Sequence, residues 1–162
     1  MKLISYTFLD KGLLRLDFSN NKSRWIVLNE NSGKTLTRSK IGTLSNVQHT
    51  GIKLGLDYYT HEPIVIHNHY HYGAAYISSL SEYSQRQQVF WKNETCTNDW
   101  ATVISIGLNH VIDEKPYKAL TYNCQTLTNK ACHNTAKSED VNKWVGGAVG
   151  VFLTLVFIRL AS

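Results

Sequence analysis

Alternation of apolar and polar residues over the first third of the chain predicts antiparallel β-strands. Residues 13–18 (LLRLDF) and 25–28 (WIVL) form two such runs, and they flank the polar residues 19–22. Two runs of this kind around a short polar stretch favour a β-hairpin. Residues 29–40 are polar and contain glycine, so we expect a loop there.

Two further strands are predicted on either side of a turn over residues 57–63. The first covers residues 48–54 and carries His49, and the second covers residues 64–67 and ends at His67. Facing side chains on neighbouring strands come within reach of one another. We therefore expect the two imidazoles to lie close together.

Apolar residues recur at helical spacing only in the second half of the chain. Apolar residues recur at helical spacing over residues 98–109, where Asn98 or Asp99 is a suitable N-cap. Pro116 interrupts the chain before a second predicted helix over residues 121–135. The pattern predicts a mixed α+β fold. A short helix or turn is expected over residues 79–88, and a strand over 89–91.

Composition narrows the classes of function. A chain of 162 residues suits one domain with its own core. The net charge of +5 suits an anionic surface such as phospholipid headgroups, but no basic run concentrates it, so we do not expect nucleic acid binding.

No phosphate-binding glycine motif is present, and no cofactor is predicted. The cysteines, Cys96, Cys124 and Cys132, form neither an even set nor a CxxC pair, which favours a reduced protein.

The last part of the chain is apolar, and the predicted boundary lies near residue 140. Residues 144–158 carry no charge and would span roughly 22 Å as a helix, against a bilayer core of about 30 Å. We divide the chain into a domain over residues 1–140 and a hydrophobic segment over 141–162, which is either a membrane anchor or a buried terminal helix. The N-terminus lacks an apolar signal region, so we expect the domain on the cytoplasmic face of a membrane.

One cysteine and two histidines form the strongest chemical pattern. Cys124 opens the second predicted helix, where the macrodipole favours a thiolate and the first N–H groups can form an oxyanion hole. His49 could accept the thiol proton, and His67 could hold His49 in the useful tautomer. The order, histidine before cysteine, is the reverse of ordinary papain-like enzymes. Each residue also has an ordinary interpretation, as a buried thiol, a solvated strand histidine or a hydrogen-bonded core histidine.

A rival pattern is the alternation of His67, His69 and His71. Three imidazoles on one strand face could bind zinc, copper or nickel, with Cys124 or His49 completing the shell. Alternate strand residues, however, lie about 7 Å apart, and no carboxylate accompanies the row. We therefore predict no metal site.

Several motifs resemble those of the lecithin:retinol acyltransferase-like proteins, also called H-box/NC proteins, a permuted branch of the NlpC-type, papain-like superfamily. The resemblance covers about residues 47–136. It implies an α+β, permuted papain-like fold in which a small antiparallel sheet packs on helices and the cysteine lies at a helix start. The motifs are residues 48–55 (QHTGIKLG), 65–68 (VIHN), 80–84 (LSEYS), Tyr117 and 123–127 (NCQTL).

The resemblance implies acyl transfer through a thioester, with Cys124 as nucleophile, His49 as base and His67 as the second histidine. The substrate would be an ester or amide of a lipid or a peptide. Many animal members act on phospholipids or retinoid esters and carry a hydrophobic C-terminal anchor. Gln125 and Thr126 stand where the family usually has glutamate and histidine, a departure that bears on lipid specificity.

Two alternatives stay open beside this interpretation. Residues 123–126 (NCQT) also resemble the Asn-Cys element of the PPPDE isopeptidases. In addition, H-box/NC proteins need not be enzymes, so the chain could be a catalytically silent, membrane-associated interaction module.

Overall fold

A computed structural model describes residues 2–39, 48–92, 95–119 and 121–138 as a mixed α+β structure. Its sheet is antiparallel, and three α-helices accompany it, so the coarse fold prediction is confirmed. The strands are β1 (Leu3–Leu9), β2 (Leu13–Phe18), β3 (Ser23–Val27), β4 (Thr35–Ser39), β5 (Gln48–Asp57), β6 (Pro63–His69), β7 (Ala74–Ser79) and β8 (Phe90–Trp91). The helices are α1 (Leu80–Ser84), α2 (Trp100–Ile112) and α3 (Cys124–His133), and a 3₁₀ turn covers Tyr70–Tyr72.

Strand β5 is the centre of the sheet because three strands pair with it. Strand β4 pairs with its N-terminal half and β3 with its last two residues, whereas β6 lies along the opposite edge. The sheet continues from β3 to β2 and β1, from β4 to β8, and from β6 to β7. The predicted hairpin around residues 57–63 is observed as β5 and β6, with Ile52 opposite Ile66.

One face of β5 and β6 packs against α2 and α3 to form the main core. A β-carbon added to Gly107 of α2 would meet the terminal methyl groups of Ile66 and Ile52 at 3.1 and 3.3 Å. The apolar strand residues therefore supply the surface on which the helices lie. Other fully buried members of this core are Leu14, Leu16, Ile26, Leu54, Ile64, Ile104, Leu108 and Leu127.

Side-chain caps fix where the long helices begin. Asp99, one of the two predicted caps, accepts a hydrogen bond from the Thr102 amide at 2.9 Å at the start of α2. Asn123 accepts one from the Thr126 amide at 3.1 Å, so α3 begins at Cys124. Both helices are confirmed, and α3 starts later than the range 121–135 predicts.

The opposite face of β5 and β6 is covered by α1. Tyr83 of α1 is fully buried and packs with Leu36 and Val65 in a small apolar cluster. A β-carbon at Gly51 of β5 would come within 2.7 Å of Val65 and 3.0 Å of Tyr83. This close approach of the tyrosine ring to the strand explains why a glycine follows His49 and Thr50.

The prediction of a loop over residues 29–40 is wrong where β4 forms. The side chains of this strand are buried as far as Arg38, although most of them are polar. They find partners inside the protein, as Thr37 does at 3.1 Å from the side-chain oxygen of Gln48 on β5. A buried polar strand has no hydrophobic alternation, which is why the pattern missed it.

The expectation that all three cysteines are reduced is also corrected. Cys96, in the segment before α2, forms a disulfide with Cys132 in α3, and their Cα atoms are 4.6 Å apart. The bridge ties the end of α3 to the chain that enters α2. Cys124 remains as the free thiol.

The predicted hydrophobic segment over residues 141–162, with its boundary near residue 140, lies outside the described residues. In the described ranges, no helix has both the length and the apolarity that a membrane span requires. The membrane anchor therefore stays a prediction.

Candidate functional site

The two predicted histidines meet on the α1 side of the sheet. His49 Nε2 lies 2.8 Å from His67 Nδ1, a hydrogen bond between the two rings. The rings stand edge to face, and both side chains are almost fully buried. The antiparallel pairing of β5 and β6 thus brings the imidazoles together as expected from the sequence.

His67 is held on its other side by Ser78 of β7. Its Nε2 lies 3.0 Å from Ser78 Oγ, and the serine is buried. Burial lowers the pKa of His67 well below its usual range, and the nearby His69 and Arg38 lower it further. His67 is therefore neutral near pH 7, so one of its ring nitrogens donates and the other accepts.

Cys124 is the first residue of α3 and lies beside the start of β5. Its Sγ is 3.9 Å from the backbone oxygen of Gln48, the residue before His49. The thiol is 1% exposed. The N-terminus of α3, with its favourable dipole, therefore brings the thiol to the part of β5 that carries the predicted base.

Two side chains connect the thiol electrostatically to the imidazole pair. Arg38 is the cross-strand partner of His49, and the Tyr83 ring stacks on His49 with the centroids 5.4 Å apart. Burial raises the pKa of Tyr83, and a thiolate at Cys124 raises it further. Burial lowers the pKa of Arg38, whereas Tyr83 and the Cys124 thiolate oppose that shift. The thiol thus lies within electrostatic range of both neighbours of His49.

Arg38 is a buried cation held by neutral oxygen atoms. Its guanidinium donates hydrogen bonds to the backbone oxygens of Tyr83 and Ser39 and to the side-chain oxygen of Gln85. Within the described part of the chain, no carboxylate forms an ion pair with it. Arg38 is therefore a buried positive charge directly opposite His49 on the neighbouring strand.

Polar contacts also fix α3 relative to the sheet. Thr128 Oγ1 lies 3.1 Å from Thr50 Oγ1 on β5. The side-chain oxygen of Gln125 accepts a hydrogen bond from Ser138 at 2.8 Å, and Thr126 binds the helix cap through its amide and hydroxyl. Gln125 and Thr126, the two departures from the family pattern, therefore have structural partners here.

The three alternating histidines do not share one strand. His67 and His69 lie on β6, whereas His71 lies in the 3₁₀ turn that follows. The His69 ring centroid is 6.0 Å from that of His67 and 5.3 Å from that of His49. Among the residues that the structure describes, no group of three or more His, Cys, Asp or Glu side chains is arranged to hold a metal ion.

A cavity of about 630 Å³ lies away from these residues, between β8, the start of α2 and the segment before β4. Neither the thiol nor the two histidines line it. Its volume is in the usual range for a ligand pocket, but it offers no room for chemistry at Cys124. Its walls include Leu28, Lys34, Trp91, Lys92 and Trp100.

No protein-family model, curated protein or solved structure matches this chain. The assignment of the site therefore depends on its geometry and on the sequence motifs. His49, His67 and Cys124 were identified from the sequence, and the structure brings them to the same part of the sheet. Sequence reasoning missed three neighbours that shape the site, Arg38, Ser78 and Tyr83, although Tyr83 lies within the motif over residues 80–84.

Proposed function

We propose that this protein is a thiol-dependent acyltransferase or hydrolase that works through a thioester on Cys124. Two contacts carry the proposal: the buried hydrogen bond between His49 and His67, and the 3.9 Å approach of Cys124 Sγ to the backbone oxygen of Gln48, the residue before His49. Thiol catalysis needs a base and a group that orients the base, and the histidine pair supplies both. The proposal agrees with the resemblance to lecithin:retinol acyltransferase-like proteins and with the permuted papain-like fold that it implies.

In the proposed reaction, His49 takes the thiol proton and the sulfur attacks the carbonyl carbon of an ester or amide. As the C–S bond forms, the carbonyl oxygen becomes negative and is stabilised by the amide N–H of Cys124 in the first turn of α3. Protonated His49 then gives its proton to the departing alkoxide or amine, which leaves a thioester. Water or an amine attacks this thioester, again with His49 as base, and the acyl product leaves.

Two buried groups support this cycle without forming bonds to the substrate. His67 orients His49 through the 2.8 Å hydrogen bond between their rings. Arg38 stabilises the thiolate by its charge, since no carboxylate in the described ranges neutralises it. Both groups are shielded from water, which strengthens their electrostatic effect on Cys124.

The substrate that we favour is a phospholipid ester at a membrane surface. The net charge of +5 favours an anionic surface, and the apolar residues 144–158 would keep the domain there. A peptide or isopeptide bond, as in the PPPDE isopeptidases, would use the same chemistry at Cys124.

The mass of the intact protein after incubation with a short-chain activated ester, p-nitrophenyl butyrate, tests this function. We expect wild type to gain one butyryl group, Cys124→Ala to gain none, and His49→Gln to acylate about 10² to 10⁴ times more slowly. The double variant Cys96→Ser with Cys132→Ser is the matched control and should still be acylated. A folded wild type that neither gains mass nor releases p-nitrophenol faster than Cys124→Ala would contradict the proposal.

A catalytically silent interaction module is the second candidate, and the burial of the thiol favours it. Cys124 is 1% exposed, as a small core residue would be. For such a module, Cys124→Ala should sediment with anionic phospholipid vesicles as wild type does, and removal of residues 141–162 should abolish sedimentation. Because an enzyme could show the same vesicle binding, the acylation experiment separates the two candidates.

A further inference from the structure

Ser78 makes two polar contacts, but its hydroxyl has one proton to donate. Its Oγ lies 3.0 Å from His67 Nε2 and 3.1 Å from the backbone oxygen of Ser79. A carbonyl oxygen can only accept, so the contact with Ser79 is a hydrogen bond only if Ser78 donates there. The Ser78 oxygen then has only lone pairs to offer His67. It follows that Nε2 of His67 carries the ring proton.

The same reasoning extends to His49. Neutral His67 has one ring proton, so when Nε2 is protonated its Nδ1 is an acceptor. His49 Nε2, at 2.8 Å from that acceptor, must be the donor. A neutral His49 then carries its lone pair on Nδ1. This is the nitrogen that can take a proton from a thiol.

In the reverse arrangement Ser78 donates its proton to His67. One of the two Ser78 contacts is then no longer a hydrogen bond, and His49 is unsuited to act as a base. If Ser78 donated to His67 Nε2, the hydrogen bond from Ser78 to the Ser79 oxygen would be lost. His67 would then donate from Nδ1 to His49 Nε2. Neutral His49 would be protonated on Nδ1, and the lone pair on Nε2 would be engaged by His67.

We propose that Ser78 is a positioning residue whose hydroxyl, bonded to the Ser79 carbonyl, fixes both histidines in the tautomers protonated on Nε2. The inference deepens the proposed function, on which its catalytic meaning rests. Ser78 touches no reacting atom and acts through His67. The burial of Ser78 supports the role, because water cannot substitute readily for either of its partners.

The tautomers can be read directly from the ¹⁵N chemical shifts of the imidazole nitrogens in wild type. His49→Gln and His67→Gln assign the signals, and the spectrum is taken at a pH where both rings are neutral. We expect a protonated Nε2 and an unprotonated Nδ1 in both rings. A proton on Nδ1 of either ring would overturn the proposal without recourse to any variant of Ser78.

Variants of the serine then test its role through the reactivity of Cys124. Ser78→Ala should slow alkylation of Cys124 by iodoacetamide at pH 7 by about tenfold, because His67 loses the acceptor that orders the two rings. Ser78→Thr, which keeps a hydroxyl, should restore most of the rate. Ser5→Ala is the matched control, since this exposed serine of β1 bonds to Asp17 and to none of the site residues. An unchanged rate in Ser78→Ala, or an equal loss in Ser5→Ala, would overturn the proposal.

Failure of this inference and failure of the proposed function give different results. If wild type neither forms an acyl-enzyme nor cleaves the ester but both rings are protonated on Nε2, the hydrogen-bond chain exists and the proposed function fails. If wild type forms an acyl-enzyme on Cys124 but its rings are protonated on Nδ1, the inference about Ser78 and the role of His49 as base fail, whereas the thioester on Cys124 stands.

Discussion

The two faces of strands β5 and β6 are both buried, but their chemistry differs. Toward α2 and α3, Ile52 and Ile66 join a core of aliphatic side chains. Toward α1, His49 and His67 bond to each other and, through His67, to Ser78. Since side chains alternate along a strand, the adjacent residues Ile66 and His67 serve opposite faces.

Under the proposed function, this difference separates the part of the molecule that stabilises the fold from the part that would carry the chemistry. Burial of apolar area contributes about 25 cal/mol per Å², whereas a hydrogen bond in a folded protein contributes only about 1 kcal/mol net. A sheet that only had to fold could carry aliphatic side chains on both faces. We therefore attribute the imidazole pair to reactivity rather than to stability.

The largest effect on stability is expected on the helix-packed face. Ile66→Ala removes a fully buried side chain that contacts α2, so the free energy of unfolding should fall by about 2 to 5 kcal/mol. The fraction that stays folded should keep the alkylation rate of Cys124. Urea unfolding followed by circular dichroism, with site-resolved alkylation under native conditions, measures both quantities.

His67→Phe, at the next residue, is the matched variant on the histidine face. It should reduce the free energy of unfolding by only about 1 to 2 kcal/mol. The ring N–H of His49 loses its acceptor on His67, but the phenyl ring fills the space of the imidazole. The alkylation rate should fall sharply. If both variants lost stability and reactivity in the same proportion, the distinction between the two faces would be wrong.

Removal of the disulfide should have the next largest effect on the free energy of unfolding. It should also leave the reactivity of Cys124 unchanged. Cys96→Ala with Cys132→Ala opens a loop closed over a separation of 36 residues, which should lower the free energy of unfolding by about 2 to 4 kcal/mol. Helix α3 keeps its contact with β5 between Thr128 and Thr50, so Cys124 should react as in wild type. Loss of Cys124 reactivity in the folded double variant would show that the bridge also positions the thiol.

Two glycines, one on each face, offer a smaller and more local comparison. In Gly51→Ala the new methyl group would lie 2.7 Å from Val65 and 3.0 Å from Tyr83, so we expect a loss of about 1 to 3 kcal/mol and a displaced Tyr83 ring. In Gly107→Ala the nearest atoms are methyl ends of isoleucines, and alanine favours the helix, so stability should change by less than about 1 kcal/mol. Equal losses in the two variants would contradict the close approach at Gly51.

The smallest effect should appear in the dependence of stability on pH. Burial lowers the pKa of His110, on α2, to about 4, and Lys115 and Lys130 add to this shift. In the unfolded chain the pKa is near its ordinary value of about 6.5, so below that pH the unfolded state binds more protons and stability falls. His67 acts in the same direction.

Between pH 7.5 and pH 5, we therefore expect the free energy of unfolding to fall less in His110→Phe than in wild type. Urea unfolding at the two pH values measures the difference. The loss should remain above zero, because His67 still titrates on the other face. An unchanged loss would mean that His110 is not held neutral in the folded protein.

Strands with one apolar face could be predicted from the sequence, and the site depends on two of them. The alternation in residues 48–54 and the apolar run before His67 give β5 and β6, and their connection by a short turn makes them neighbours. The helix start at Cys124 also follows from local chemistry, because Asn123 is a good cap. The pairing of the strands that carry His49 and His67, and the helix start at Cys124, thus required little beyond periodicity and capping, whereas the contact of Cys124 with β5 joins residues distant in the chain.

Other features depend on contacts between distant residues and could not be predicted. Strand β4 carries mostly polar side chains, and only the folded sheet shows that Arg38 is buried opposite His49. Three cysteines allow three pairings, and the sequence does not give the distance between Cys96 and Cys132. The role that we assign to Ser78 arises from the register of β6 on β7, which no local motif encodes.

The most direct test of the account compares the same thiol in two states of the chain. The rate of Cys124 alkylation by iodoacetamide at pH 7 is measured in the native protein and in the urea-unfolded protein with its disulfide intact. A thiol activated by His49 and Arg38 should react faster in the native state, and His49→Gln should remove that advantage. If the native wild type reacted more slowly than the unfolded chain, Cys124 would be an ordinary buried thiol, and the proposed chemistry would be wrong.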